Sequence, residues 1–289
     1  MMHKLIFWLT DHRFGNIVLL LVFFLFSVRG HMVVSQPFYW LVKKTSNAQA
    51  NVILLCIITP LLLWVLFTFY RELNKHPLRR ELSILWSLFL FFAVLSFNTI
   101  MPYNAEFMHF PQYMIIAILV FPLLRNAGLT LILCAVLGFL DEVAQYLLYF
   151  SVHFDYNDVT LDILGSAGGI LTVLTYVHPE TLSAQSWKKI FTHPLYLFWN
   201  ILIISIALLF FTKVLVLYCD QGPWSWHRLE SGRIAGTFWE HKKWGPVWHR
   251  MFPYEGTFWL LLLPLLFYRF HFYQLHNRPA THEKIDQPV

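Results

Sequence analysis

Three short stretches of this chain set acids, imidazoles and amides into otherwise apolar sequence, and these are the residues that could do chemistry. Glu106, His109 and Tyr113 are spaced i, i+3, i+7, so a helix running through them carries all three on one face. Asp141 and Glu142 precede Gln145 by four and three residues, again helical neighbour distances. Asp158, Asp162, Gly165 and Gly169 make a third stripe at i, i+4, i+7, i+11, with His153 and Asp155 just before it. An imidazole within reach of a carboxylate is the minimum apparatus of general acid–base catalysis, which makes Glu106, His109 and Glu142 the candidate catalytic groups. Tyr113, Asp141, Gln145, His153, Asp155, Asp158 and Asp162 are the candidate binding groups. The same donor set admits a divalent cation, but no compact spacing such as His-x-x-x-His identifies a metal.

Each residue also has a plainer reading. Asn104, Glu106 or Asp158 would suit a helix N-terminus, where the macrodipole favours an anion, and single polar side chains often cross-link membrane helices for about 1 kcal/mol. The set as a whole weighs the other way, because so many acids with few nearby Lys or Arg are explained more economically by a site than by packing.

The elements that must position these residues are read from composition. Hydrophobic residues make up 57% of the chain and charged residues only 13%, and the charges bunch between long runs of Leu, Ile, Phe and Val. A span needs roughly 20 mostly apolar residues, and such runs recur at 14–34, 51–70, 82–101, 108–124, 127–149, 158–177, 195–218 and 256–273. The expected fold is therefore all-α, a polytopic transmembrane bundle of about eight spans. Arg71, Lys75, Arg79 and Arg80 crowd one loop, whereas 102–107 and 150–157 hold no Lys or Arg, so the basic loop is expected in the cytoplasm together with both termini. The long connection 219–255 then lies outside. Its Trp224, Trp226, Trp239, Trp244 and Trp248 suit a short structure in the headgroup zone.

This orientation sends all three polar stretches to the outer side. Counting about 1.5 Å per residue from Ala127 puts Glu142 roughly 22 Å along its helix, some 8 Å below the outer hydrocarbon surface. Glycines at 165 and 169, with Ser166, Ala167 and Gly168, allow a neighbouring backbone to approach, so the acids of that stripe face the bundle. The three cysteines show no paired spacing, and Lys and Arg form no patch shaped for nucleic acid, so a disulfide framework and nucleic-acid binding are both excluded as readings.

The motifs resemble those of the VanZ-like family of membrane proteins over about residues 82–177. Glu106, His109, Phe110 and Tyr113 fit its first element, Gly138, Glu142 and Gln145 its second, and Asp158, Gly165 and Gly169 its third. Two positions depart from the family pattern: His153 lies near an expected Arg, and Asp162 occupies an expected Asn, which makes this set more acidic. The resemblance divides the chain into N-terminal spans (1–81), a core of four helices (82–177) and C-terminal spans with the Trp-rich connection (178–289). It also implies a multi-pass protein of the cell membrane, a bacterial inner membrane, with a cell-envelope role linked to glycopeptide antibiotic resistance.

Three functional classes follow. The leading expectation is a membrane protein whose outward-facing acidic/His pocket binds or modifies an envelope lipid, a lipid-linked glycan or a glycopeptide-related component. The second is a membrane enzyme using a Glu/His acid–base pair, metal-assisted or not. The third is a small proton-coupled transporter, disfavoured because the inner halves of the spans carry no comparable acids. Membrane lipids are the expected partners in every case.

Overall fold

The computed structural model describes residues 2–100, 107–149, 156–177, 182–184, 189, 191–212, 216–218, 228–230, 239–241, 247–249 and 253–272. The described chain is helical: α1 (Met2–Asp11), α2 (Arg13–Lys44), α3 (Asn47–Leu73), α4 (Arg79–Thr99), α5 (His109–Leu124), α6 (Ala127–Tyr149), α7 (Tyr156–Tyr176), α8 (Pro194–Phe211) and α9 (Pro253–Phe267). Six three-residue strands complete it as isolated pairs, Leu182–Ala184 with Phe270–Phe272, Val216–Tyr218 with Arg228–Glu230, and Trp239–His241 with Val247–His249. The last two pairs flank and punctuate the Trp-rich connection.

A helix occupies each of the eight apolar segments, with differences of boundary, α2 running on past position 34 to Lys44. α1 is a helix outside the eight apolar segments, held in place where Ile6 and Leu9 are completely buried against the bundle. It meets α2 at a bend of 104°. The segment 195–218 is helical through Phe211 and extended at Val216–Tyr218. The segment 256–273 ends at Phe267, leaving a 15-residue helix of about 22 Å, shorter than a hydrocarbon core of about 30 Å.

Among the described residues, Ala127–Ala144 and Asn157–Tyr176 are long and apolar enough to cross a membrane, and the bent pair Lys4–Asp11 with Arg13–Val28 makes a third if it is one span. His109–Leu124, Pro194–Leu209 and Glu255–Phe267 are apolar but shorter. The outer surface matches. Large apolar side chains point away from the protein along α2, α4 and α8, Leu25 at 64% exposed and Phe211 at 86% among them, a density of exposed hydrocarbon that water does not tolerate on a monomer.

α7 is the centre of the bundle, with 94% of its apolar window buried. Its most extensive partner is α5. Small residues make that contact possible: a Cβ added to Gly165 would lie 2.9 Å from the Phe110 carbonyl oxygen, and one added to Gly169 would strike the Met114 carbonyl. Two glycines four apart on α7 thus receive two residues four apart on α5, backbone against backbone. On its other sides α7 packs on α6, α4 and α9. Trp86 of α4 donates from Nε1 to Thr175 Oγ1 at 3.0 Å, and the Phe89 ring fills the space that Gly168 leaves.

The turns at the end of this core opposite His109 are tightly capped. Arg125 closes α5 in the left-handed conformation (φ 55°), and Asn126 accepts the Leu129 N–H to start α6 while its amide donates to the Tyr268 carbonyl. Burial and the nearby Arg13 lower the Arg125 guanidinium's proton affinity, with Asp11 opposing them. Cations therefore gather at the end of α5 opposite His109.

Candidate functional site

The N-terminal end of α5, the C-terminal half of α6 and the N-terminal end of α7 bring the polar stretches together. His109, the first residue of α5, is 1% exposed and lies between two carboxylates of α7. Its Nδ1 is 2.8 Å from Asp162 Oδ1, a short hydrogen bond between buried groups, and its Nε2 is 3.6 Å from Asp158 Oδ1, an ion-pair distance. Asp158 keeps 21% of its side chain exposed, whereas Asp162 keeps 1%, so the imidazole stands between an open and a sealed carboxylate. The i, i+4 stripe of α7 is what permits this, since both acids must reach one ring.

Asp162 is held from several sides. Its Oδ2 rests against Gly138 of α6, where an added Cβ would come within 2.9 Å, and its carbonyl accepts the Ser166 hydroxyl at 2.8 Å. Cys134, buried on α6, lies beside Ser166 and close enough to feel the Asp162 charge.

A second polar knot adjoins the first. Tyr113 and Gln112 both donate to Asp141 Oδ2, each at 3.3 Å. Glu142, the next residue along α6, is 4% exposed and acts electrostatically on both His109 and Tyr113. Asp141, Glu142, Asp162, His109 and Tyr113 are thus buried neighbours drawn from three helices. Leaving an unpaired acid in a membrane interior costs on the order of 3 kcal/mol, and the interhelical hydrogen bonds to Asp141 and Asp162 are the compensation seen here. Asn157 anchors the start of α7 by donating to the Ile100 carbonyl at 3.0 Å.

Of the residues expected from spacing, His109, Tyr113, Asp141, Glu142, Asp158 and Asp162 meet at this place. Glu106, His153 and Asp155 lie outside the described residues, as does the side chain of Gln145, whose backbone belongs to α6. The expected pairing of His109 with Glu106 is therefore not among the contacts described. The imidazole's two carboxylates come from α7. Gln112, Cys134 and Asn157 were absent from the expected set. Gln112 had a signal, as an amide three residues after His109 inside an apolar helix, whereas Cys134 looks like any small core residue. Among the described residues, no three His, Cys, Asp or Glu side chains are arranged to hold a metal ion.

Chemically, a carboxylate on Nδ1 fixes the ring and its tautomer and leaves Nε2 to exchange a proton, the arrangement that makes histidine a base or an acid. Compared with family models, curated proteins and solved structures, the chain finds no match.

Proposed function

We propose that this protein is a multi-pass membrane protein that binds the polar headgroup of an envelope lipid or lipid-linked glycan at the mouth formed by α5, α6 and α7, where His109 serves as an oriented acid–base group. The observation that carries this reading is the Asp162–His109–Asp158 array, sealed at one end and open at the other. A purely structural polar cross-link needs only the sealed Asp162 bond, whereas Asp158 keeps part of its side chain at the surface, where a headgroup can reach it.

On this reading all eight helices α2–α9 lie in the bilayer, with both termini in the cytoplasm. The support is the distribution of charge: Arg71, Lys75, Arg79 and Arg80 at the α3–α4 turn and Arg125 at the α5–α6 turn belong to the inner side. The acids at the opposite end of α5 then face outward, as the resemblance to VanZ-like envelope proteins also suggests. Because Asp162 orients the ring from behind, the same site suits modification as well as capture of a headgroup, and this is the specific feature favouring an enzymatic variant.

The test is lipid retention. Full-length protein extracted into native nanodiscs, as wild type, His109→Gln and Glu142→Gln, is compared by mass spectrometry for co-purifying lipids. Selective loss of one lipid class from both variants, each still folded and monodisperse in the nanodisc, supports the proposal. An identical lipid complement in all three proteins rejects it.

A further inference from the structure

At the other end of α7 a second histidine is bound in a way that only one protonation state allows. His76 lies in the turn between α3 and α4, 7% exposed, followed by Pro77, whose ring fixes the backbone there. The Leu78 N–H donates to His76 Nδ1 at 3.1 Å, so Nδ1 must be the bare nitrogen. Nε2, which then carries the proton, donates to the Val177 carbonyl at 3.3 Å. That carbonyl follows the last turn of α7, where backbone acceptors lack helical partners, so the imidazole caps α7 from another element. One ring thus ties the α3–α4 turn to the end of the central helix.

We infer that His76 is an acid-sensitive clasp: neutral, it fixes the α3–α4 turn to the C-terminal end of α7, and a second ring proton releases the turn. Protonated Nδ1 is a donor facing the Leu78 donor, so that bond is lost while the Nε2 bond survives. Among the described residues, the charged groups on the elements packed at this end are as follows. α1 brings Lys4 and Asp11. α3 and the turn bring Arg71 and the Glu72–Lys75 pair. α4 begins with Arg79, Arg80 and Glu81, the last held by Arg269 at 3.1 Å, and the final two turns of α7 offer only the Tyr176 hydroxyl. Among the described residues cations outnumber acids there, and a charged imidazole adds to them. This inference is independent of the proposed lipid site, since it concerns the opposite end of the helix.

Hydrogen exchange read by mass spectrometry on the full-length protein in nanodiscs tests it, with rates corrected for intrinsic pH dependence. Between about pH 8 and about pH 5, the peptide covering the α3–α4 turn should lose roughly fivefold in protection in the wild type. In His76→Asn, whose side-chain oxygen accepts the same i+2 N–H without titrating, that protection should not change with pH. Equal wild-type protection at both values, or the same loss in His76→Asn, overturns the clasp. Should the variant fail to fold, the nitrogen spectrum of wild-type His76 decides: a bare Nδ1 with a protonated Nε2 near neutrality that gains its second proton by about pH 5 supports it, and a protonated Nδ1 near neutrality, or none gained by about pH 5, refutes it.

Discussion

Replacing Asp162 with Asn removes a charge from behind His109 while keeping the volume that rests on Gly138, so no cavity opens and the consequence is electrostatic. Two magnitudes frame the outcome. Polar bonds between membrane helices contribute about 0.6 kcal/mol on average and up to about 1.7 kcal/mol. Breaking a buried ion pair by removing one partner costs about 3–5 kcal/mol. The 2.8 Å bond, the 1% exposure of both side chains and the second carboxylate at 3.6 Å place His109–Asp162 in the second class. A double-mutant cycle of His109→Gln and Asp162→Asn should therefore return a coupling of about 3 kcal/mol, the upper end for contacting residues. Reversible unfolding in bicelles measures each corner of the cycle. A coupling below about 1 kcal/mol would refute the reasoning, since it would make the pair ordinary helix glue.

Four further outcomes follow from the same contacts. Gly138→Ala brings a methyl to 2.9 Å from Asp162 Oδ2 and should lower stability by about 1–3 kcal/mol, read from the melting transition. Gly169→Ala meets the Met114 backbone rather than a movable side chain, so it should cost more than Gly138→Ala in the same assay. Trp86→Phe keeps a six-membered aromatic ring but deletes the indole N–H that serves Thr175 Oγ1 together with some buried volume, and a loss of at least about 1 kcal/mol is expected from denaturation. Arg269→Ala breaks a part-exposed pair with Glu81 and should change stability by less than about 1 kcal/mol, a contrast that locates the electrostatic stabilisation in the α5–α7 site.

Much of the helical framework was legible in the sequence because apolar run length is a strong signal, and the polar stripes were legible because helical periodicity converts spacing into a face. Asp158, Asp162, Gly165 and Gly169 illustrate both at once: the acids reach one imidazole and the glycines admit the α5 backbone. What escaped was pairing across helices. Nothing in the spacing of Glu106 and His109 reveals that the imidazole is met by α7, since tertiary partners carry no periodicity. The α1 helix escaped for a related reason, because ten residues are too few for a span and their burial depends on α5 and α7. Helix ends were also out of reach, α8 ending at Phe211 and α9 at Phe267, short of the apolar pattern. His76 had no signal at all, its role resting on a carbonyl about a hundred residues away.

The central claim is that α5, α6 and α7 hold an outward-opening polar mouth occupied by a headgroup, and a cryo-EM map of the protein in native nanodiscs addresses it most directly. The account predicts density continuous with a lipid and within hydrogen-bonding distance of Asp158 and His109, on the face opposite the Arg125 turn. A mouth closed by protein with lipid headgroups elsewhere, or one opening on the same side as Arg79 and Arg125, would contradict it.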